Sequence, residues 1–178
     1  MGPCNGDGTA FAATLAMNLQ TQPTPELTRL GELIDSIEIA MLSTVEEDGQ
    51  LRSRPLLTLQ MDQEGALWFI TSIGSGKIGE LDSHRRVCLS YCRPGRDSYV
   101  SVSGVTQILR DPSKARELWT TSLVQWVPDG VEDPELVLLK VTVEEAEYWD
   151  ATRGESLSLF SAAAEPRSGK VSIPPVNH

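Results

Sequence analysis

At 178 residues, the chain is long enough for one domain with a sizeable core, and 40% hydrophobic residues fit a soluble globular protein. A net charge of −10 argues against bulk nucleic-acid binding, which needs a basic face, and no apolar run approaches the roughly 18 residues of a membrane span. Three cysteines, an odd number with one near the N-terminus, point to a reducing cytoplasm rather than a disulfide scaffold.

Residues 9–17 are small and apolar but follow no basic residue, so a secretory signal is not expected. Residues 1–23 read as a mobile tail. Thr24-Pro25-Glu26 then opens a helix with a capping hydroxyl, a proline in the first turn and an early acid. Leu27, Leu30, Leu33, Ile34 and Ile37 recur at helical spacing, so this helix packs one face on the body.

Strands are expected over Ile39–Val45, Leu51–Met61, Ala66–Ser72, Arg86–Cys92 and Ser98–Leu109. Turns separate them at Glu46-Glu47-Asp48-Gly49, Asp62-Gln63-Glu64-Gly65 and Pro94-Gly95-Arg96-Asp97. A short helix from Ser75 to Asp82 interrupts the series. Asp111-Pro112 caps another helix carrying Lys114, Ala115, Leu118 and Trp119. After the turn-rich loop Trp126-Val127-Pro128-Asp129-Gly130, Glu135–Val143 reads as a last strand that extends toward Trp149. Short turns between strands argue for an antiparallel sheet that closes into a small barrel. Residues 151–178 read as a poorly ordered tail unless a partner subunit holds them, leaving one domain over residues 24–150.

Between Arg52 and Arg116 ten Lys/Arg stand against six Asp/Glu, whereas the rest of the chain holds five against nineteen. A basic middle in an acidic protein suits a small anionic ligand, and solvated arginines at strand ends explain it equally well. Gly74-Ser75-Gly76-Lys77 follows a strand. Glycine-freed backbone N–H groups at a helix start, beside a lysine, form a phosphate cradle, and Arg52 and Arg54 on the neighbouring strand lie close enough to help.

Other chemistries find little support. Two histidines and the pair Cys88/Cys92 make a poor metal set, and the cysteines read as buried small hydrophobes. No Walker, Rossmann or nucleophile-elbow pattern occurs. One of Trp68 and Phe69 should face the core. Trp119 and Trp126 read as packing residues or as walls for a flat cofactor.

The order of an Arg-x-Leu strand, an aromatic-x-Thr strand, a Ser-x-Lys helix and a strand ending in glycine resembles the pyridoxamine 5′-phosphate oxidase-like family. Tyr99-Val100-Ser101-Val102-Ser103-Gly104, Asp111, Trp119 and Trp126-x-Pro128-x-Gly130 look most like its general stress protein 26 branch. The resemblance covers Leu27 to Trp149. It implies a mainly β fold, a six- or seven-stranded antiparallel split β-barrel with a few flanking helices. It also implies a homodimer holding FMN in a groove between subunits.

By this likeness Arg54 reaches the FMN phosphate, with Pro55 and Leu56 running under the ring. Ile70, Thr71 and Ser72 come from the next strand, and Ser75 and Lys77 form the phosphate-binding turn. Arg52 and Ser53 are helpers, Tyr99 stands where the oxidases place a partner-chain glutamine, and Trp119 and Trp126 close the pocket. Gly76 replaces an arginine of the true oxidases, and Leu59 a lysine. The oxidases' carboxy-terminal Arg-Leu-x-Asp-Arg motif is missing around Thr152–Ser156, so vitamin B6 oxidation is not expected. The implied function is a flavin-dependent reductase or oxidase of a small substrate, in the cytoplasm and without nucleic-acid or membrane partners. A flavin-holding or sensing protein is the alternative, as is a split barrel that takes deazaflavin or haem.

Overall fold

The computed structural model describes residues 24–93, 95, 97–150 and 155–161, with Leu159 the one described side chain of the last stretch. The expected N-terminal tail lies outside the described residues. Helix α1 (Pro25–Ile34) begins as its sequence dictates: Leu27 N donates to Thr24 Oγ1 at 3.4 Å, and Leu27, Leu30 and Ile34 are buried. Strands β1 (Ile39–Val45), β2 (Leu51–Met61) and β3 (Ala66–Ser72) follow. Gly49 and Gly65 turn the chain between them at φ +84° and +83°, where a side chain would strain the backbone. Then come α2 (Gly76–Ser83), β4 (Arg86–Arg93), β5 (Ser98–Leu109), α3 (Pro112–Leu118), a 3-10 helix (Thr121–Gln125), β6 (Leu136–Asp150) and β7 (Glu155–Ser161).

The strands run β3-β2-β1-β4-β5-β6-β7, each antiparallel to its neighbours, and β3 also pairs with β6. Six strands therefore close into a barrel, and β7 pairs with β6 beyond the stretch taken by β3. The 15-residue β6 makes this possible: Leu136–Thr142 pairs with β3, and Glu145–Asp150 pairs with β7. Gly104 sits where the β5–β6 register shifts, and a Cβ there would lie 2.3 Å from the Thr142 carbonyl oxygen. Only glycine allows that approach.

Leu42, Leu67, Phe69, Leu89, Val102, Leu139 and Val141 fill the barrel interior, each at most 1% exposed. Tyr91 joins them, its hydroxyl 3.2 Å from Thr58 Oγ1, and burial pushes its phenol up to about 12. A second cluster lies outside the barrel, where Trp68, Ile70 and Leu138 pack under Ala115, Leu118 and Leu123. Phe69 faces the barrel interior, as one of the pair should, and Trp68 on the other face is buried as well because α3 and the 3-10 helix cover the outside of β3.

Three further differences from the sequence reading have local causes. The segment expected as a tail supplies β7: Ser156-Leu157-Ser158-Leu159 alternates with strand period, and the long β6 offers it an edge. Helix α2 starts at Gly76 rather than Ser75, which is its N-cap. Cys88 is half-buried and Cys92 exposed, and both are free thiols. Neither sits in the core, because they face outward on β4 beside Ser90.

Outside β2, β1, β4 and β5 no element among the described residues covers the wall. Cross-strand rows read Pro55–Met41–Ser90–Ser101 and Ser53–Ser43–Cys88–Ser103, with Cys92 opposite Tyr99. Not one of these side chains carries a charge, and Met41 and Tyr99 are 40% and 43% exposed.

Candidate functional site

The barrel wall opens between β2 and β3. Their ladder holds only from Thr58 to Met61 on β2, so Pro55-Leu56-Leu57 and Ile70-Thr71-Ser72 part into the two sides of a groove. Leu123, Trp126, Val127 and Pro128 of the 3-10 helix and its following loop form a third wall, with Asp133 and Leu136 at the margin. The groove holds about 440 Å³, within the range of small-molecule sites.

Its polar end is built by the turn after β3. Ser72 Oγ accepts from Gly74 N at 3.2 Å and donates to Glu135 Oε2 at 3.1 Å, while Ile73 N donates to the Glu135 carbonyl at 2.7 Å. These bonds fix the turn that delivers Ser75 to the start of α2. Ser75 does not cap the helix with its own side chain. Its hydroxyl instead accepts from Lys77 Nζ at 2.7 Å, and Thr71 Oγ1 accepts from the same ammonium at 2.7 Å.

Two of the three ammonium N–H groups are thereby used, both on neutral oxygens. Among the described residues Lys77 forms no ion pair. Burial lowers its pKa, the nearby Arg54 charge lowers it further, and Glu80 partly offsets both. A half-buried cation without a paired carboxylate, at the end of an apolar groove, fits a flat ligand with an anionic end.

Eight residues expected at a site line this groove: Pro55, Leu56, Ile70, Thr71, Ser72, Ser75, Lys77 and Trp126. Five do not. Arg54 points into the end of the barrel, where its guanidinium grips the Glu80 carboxylate through both Nη atoms, one at 2.8 Å, and donates to Thr44 Oγ1 at 3.0 Å. Arg52 pairs with Glu46, and Ser53 shares a 2.6 Å hydrogen bond with Ser43 on the bare wall. Tyr99 lies on that wall too. Trp119 packs against the outer cluster.

Sequence reasoning missed Leu57, Leu123, Val127, Pro128, Asp133 and Leu136 as lining residues, and Glu80 as the partner of Arg54. Helical spacing places Glu80 one turn after Lys77, a signal present in the sequence. Among the described residues no three His, Cys, Asp or Glu gather as metal ligands, and no helix is long and apolar enough to cross a membrane.

Residues 25–170 match the family model described as pyridoxamine 5′-phosphate oxidase like. General stress protein 26 of Bacillus subtilis is 28% identical over 131 residues, 72% of this chain and 91% of that protein. Protein bli-3 of Neurospora crassa is 27% identical over 134 residues, 70% of this chain but only 64% of that longer protein. A solved structure, the general stress FMN/FAD binding protein from Xanthomonas citri, is 30% identical and superposes with a TM-score of 0.59, covering 68% of this chain and 86% of that one.

Proposed function

We propose, since the chain belongs to the pyridoxamine 5′-phosphate oxidase-like family, that its groove binds a flavin, and FMN in particular. The observation that carries this is Lys77, a half-buried ammonium held by Thr71 and Ser75, with no paired carboxylate among the described residues, at the end of an apolar groove. Lys77, Ser75 and the first backbone N–H groups of α2 would hold the phosphate. Ile70, Leu57, Leu123 and Trp126 would flank the ring, and Trp126, 54% exposed, gains cover from a flat ligand. The resemblance of the Xanthomonas citri protein, an FMN/FAD binding protein by name, supports the same ligand.

A bound flavin would supply hydride and electron transfer, so the activity would be the reduction or oxidation of a small substrate. The chain's own part is to bind and orient: hydroxyls and an ammonium at one end, apolar walls at the other. The working unit in this reading is a homodimer. A second copy would cover the outer face of β2, β1, β4 and β5, whose Met41, Ser43, Cys88, Ser90, Ser101 and Ser103 carry no charge and which ends at Pro55 beside the groove. The free thiols Cys88 and Cys92 suit a reducing, cytoplasmic setting.

Titration of the purified protein with FMN tests the reading through flavin fluorescence and the visible absorption band. Saturable binding with a shifted band is expected. An affinity weaker than about 1 mM would remove flavin as the ligand.

A further inference from the structure

We propose that Ser75 and Lys77 form a nucleophile–base pair that hydrolyses small esters with an apolar acyl group. This is a second chemistry of the same groove, one that a bound phosphate would block. It needs only side chains and backbone groups of the chain itself, so it stands apart from the flavin reading.

Ser75 stands where strand β3 passes through a turn into α2, a junction that holds a nucleophile up at the end of a sheet. Its hydroxyl does not cap the helix and lies 2.7 Å from Lys77 Nζ, within reach for proton transfer. Thr71, 9% exposed, holds the same nitrogen from β3 at 2.7 Å. The amine is therefore fixed from two sides. Serine with lysine as its base is a known variant of the serine–histidine pair.

The groups an acyl transfer needs beyond this pair are also present. At the start of α2 the Ile78 N–H donates to the Ser75 carbonyl at 2.9 Å, whereas the Gly76 and Lys77 N–H groups have no acceptor among the described residues. Unpaired N–H groups directly after a nucleophile can receive the oxyanion of a tetrahedral intermediate. Leu56, Leu57, Ile70 and Leu123 wall the groove for the acyl chain.

Lys77 acts in its neutral form. Burial and the Arg54 charge on β2 favour that form, and Glu80 on α2 opposes it. Glu46, 3.9 Å from Arg54 and paired with Arg52, tempers the first of those charges. Asp133 at the groove margin and Glu135 beside Ser72 add negative charge from the loop before β6. The amine takes the Ser75 proton as Oγ bonds to the ester carbonyl carbon. The C–O bond to the alcohol then breaks, and the alcohol leaves with the proton from Lys77. Water, deprotonated by the same amine, attacks the acyl group on Ser75, releasing the carboxylic acid and restoring the serine.

The full chain is assayed with p-nitrophenyl butyrate between about pH 7 and 10, as wild type, Ser75→Ala and Lys77→Met. Hydrolysis should saturate, rise with pH as Lys77 loses its proton, and fall about 100-fold in either variant. A fluorophosphonate probe, mapped by peptide mass spectrometry, should attach to Ser75 of the wild type. This second measurement decides even where a variant fails to fold. Wild-type hydrolysis no faster than that of folded Ser75→Ala overturns the proposal, as does a probe found on Lys77 or on no residue. FMN added to the assay separates the two readings. Suppressed hydrolysis is expected if flavin fills the groove; undiminished hydrolysis with Ser75 still labelled would sink the flavin reading and leave this one standing.

Discussion

The two outer flanks of the barrel carry opposite chemistry. Outside β3 and β6, Trp68, Ile70 and Leu138 are large and apolar, and the chain covers them itself with α3 and the 3-10 helix. Outside β1, β4 and β5 stand Met41, Ser43, Cys88, Ser90, Cys92, Ser101 and Ser103, uncharged and, among the described residues, uncovered. Alternation along each strand is the same on both flanks. What differs is the segment available nearby, because the chain leaving β5 crosses back over β3 and β6. The groove lies at the border, with β2 residues on one side and the 3-10 helix on the other. A ligand there touches the covered flank and lies beside the bare one, so its binding should respond to changes on either.

The largest expected effect is on the covered flank. Leu138 is 0% exposed, and Leu138→Ala should cost roughly 2–5 kcal/mol of unfolding free energy. Met41→Ala on the bare flank should change the single chain by less than about 0.5 kcal/mol. Urea denaturation of both variants measures the contrast, and equal losses would break it.

Next comes a charge on the bare wall. Met41→Glu should weaken the proposed dimer by about 100-fold and leave the far-UV circular dichroism of the chain intact. Sedimentation velocity against concentration checks this. Flavin affinity should fall as the dimer separates, since the two equilibria are linked.

A smaller effect is expected from Trp126→Ala. The side chain is more than half exposed, so the fold should barely notice, while FMN and riboflavin should both weaken about tenfold through lost contact with the ring. Isothermal titration with the two ligands is the check.

The acid limb of the stability curve offers the subtlest test. Arg54 holds the Glu80 carboxylate below its ordinary value through a direct hydrogen bond, against the opposing effect of burial. A carboxylate depressed in the folded state contributes stability above its unfolded pKa, and that contribution is lost as pH falls through the folded value. As pH falls from roughly 5 to roughly 2, from the unfolded carboxylate range downward, thermal melts should fall less steeply for Glu80→Gln than for wild type.

Much of this architecture was legible in local chemistry. Thr24 and Pro25 marked α1, Gly49 and Gly65 marked the hairpins, and Asp111-Pro112 opened α3 through an Asp111 side chain that accepts from Lys114 N at 2.9 Å. The Ser75–Lys77 turn was visible as well, because its hydrogen bonds join neighbours in the chain. What escaped depended on distance. Glu80 meets Arg54 across 26 residues, β7 needs an edge that only the folded β6 provides, and the burial of Trp68 depends on α3 arriving 44 residues later. The position of Arg54 is the instructive case. Its residue type and strand suggested a phosphate ligand, and the residue it grips is a carboxylate on the next helix.

The most direct test of the central claim is the ratio of FMN to riboflavin affinity in wild type and Lys77→Ala, measured by fluorescence titration. A charge-assisted hydrogen bond contributes roughly 1.5–3 kcal/mol, so FMN should weaken about 10- to 100-fold while riboflavin stays within error. The wild-type preference for FMN should also decline as pH rises through the depressed pKa of Lys77, because the neutral amine no longer contributes a charge-assisted bond to the phosphate. Equal losses for both ligands, or an unchanged ratio, would contradict the claim that the ammonium between Thr71 and Ser75 receives the phosphate.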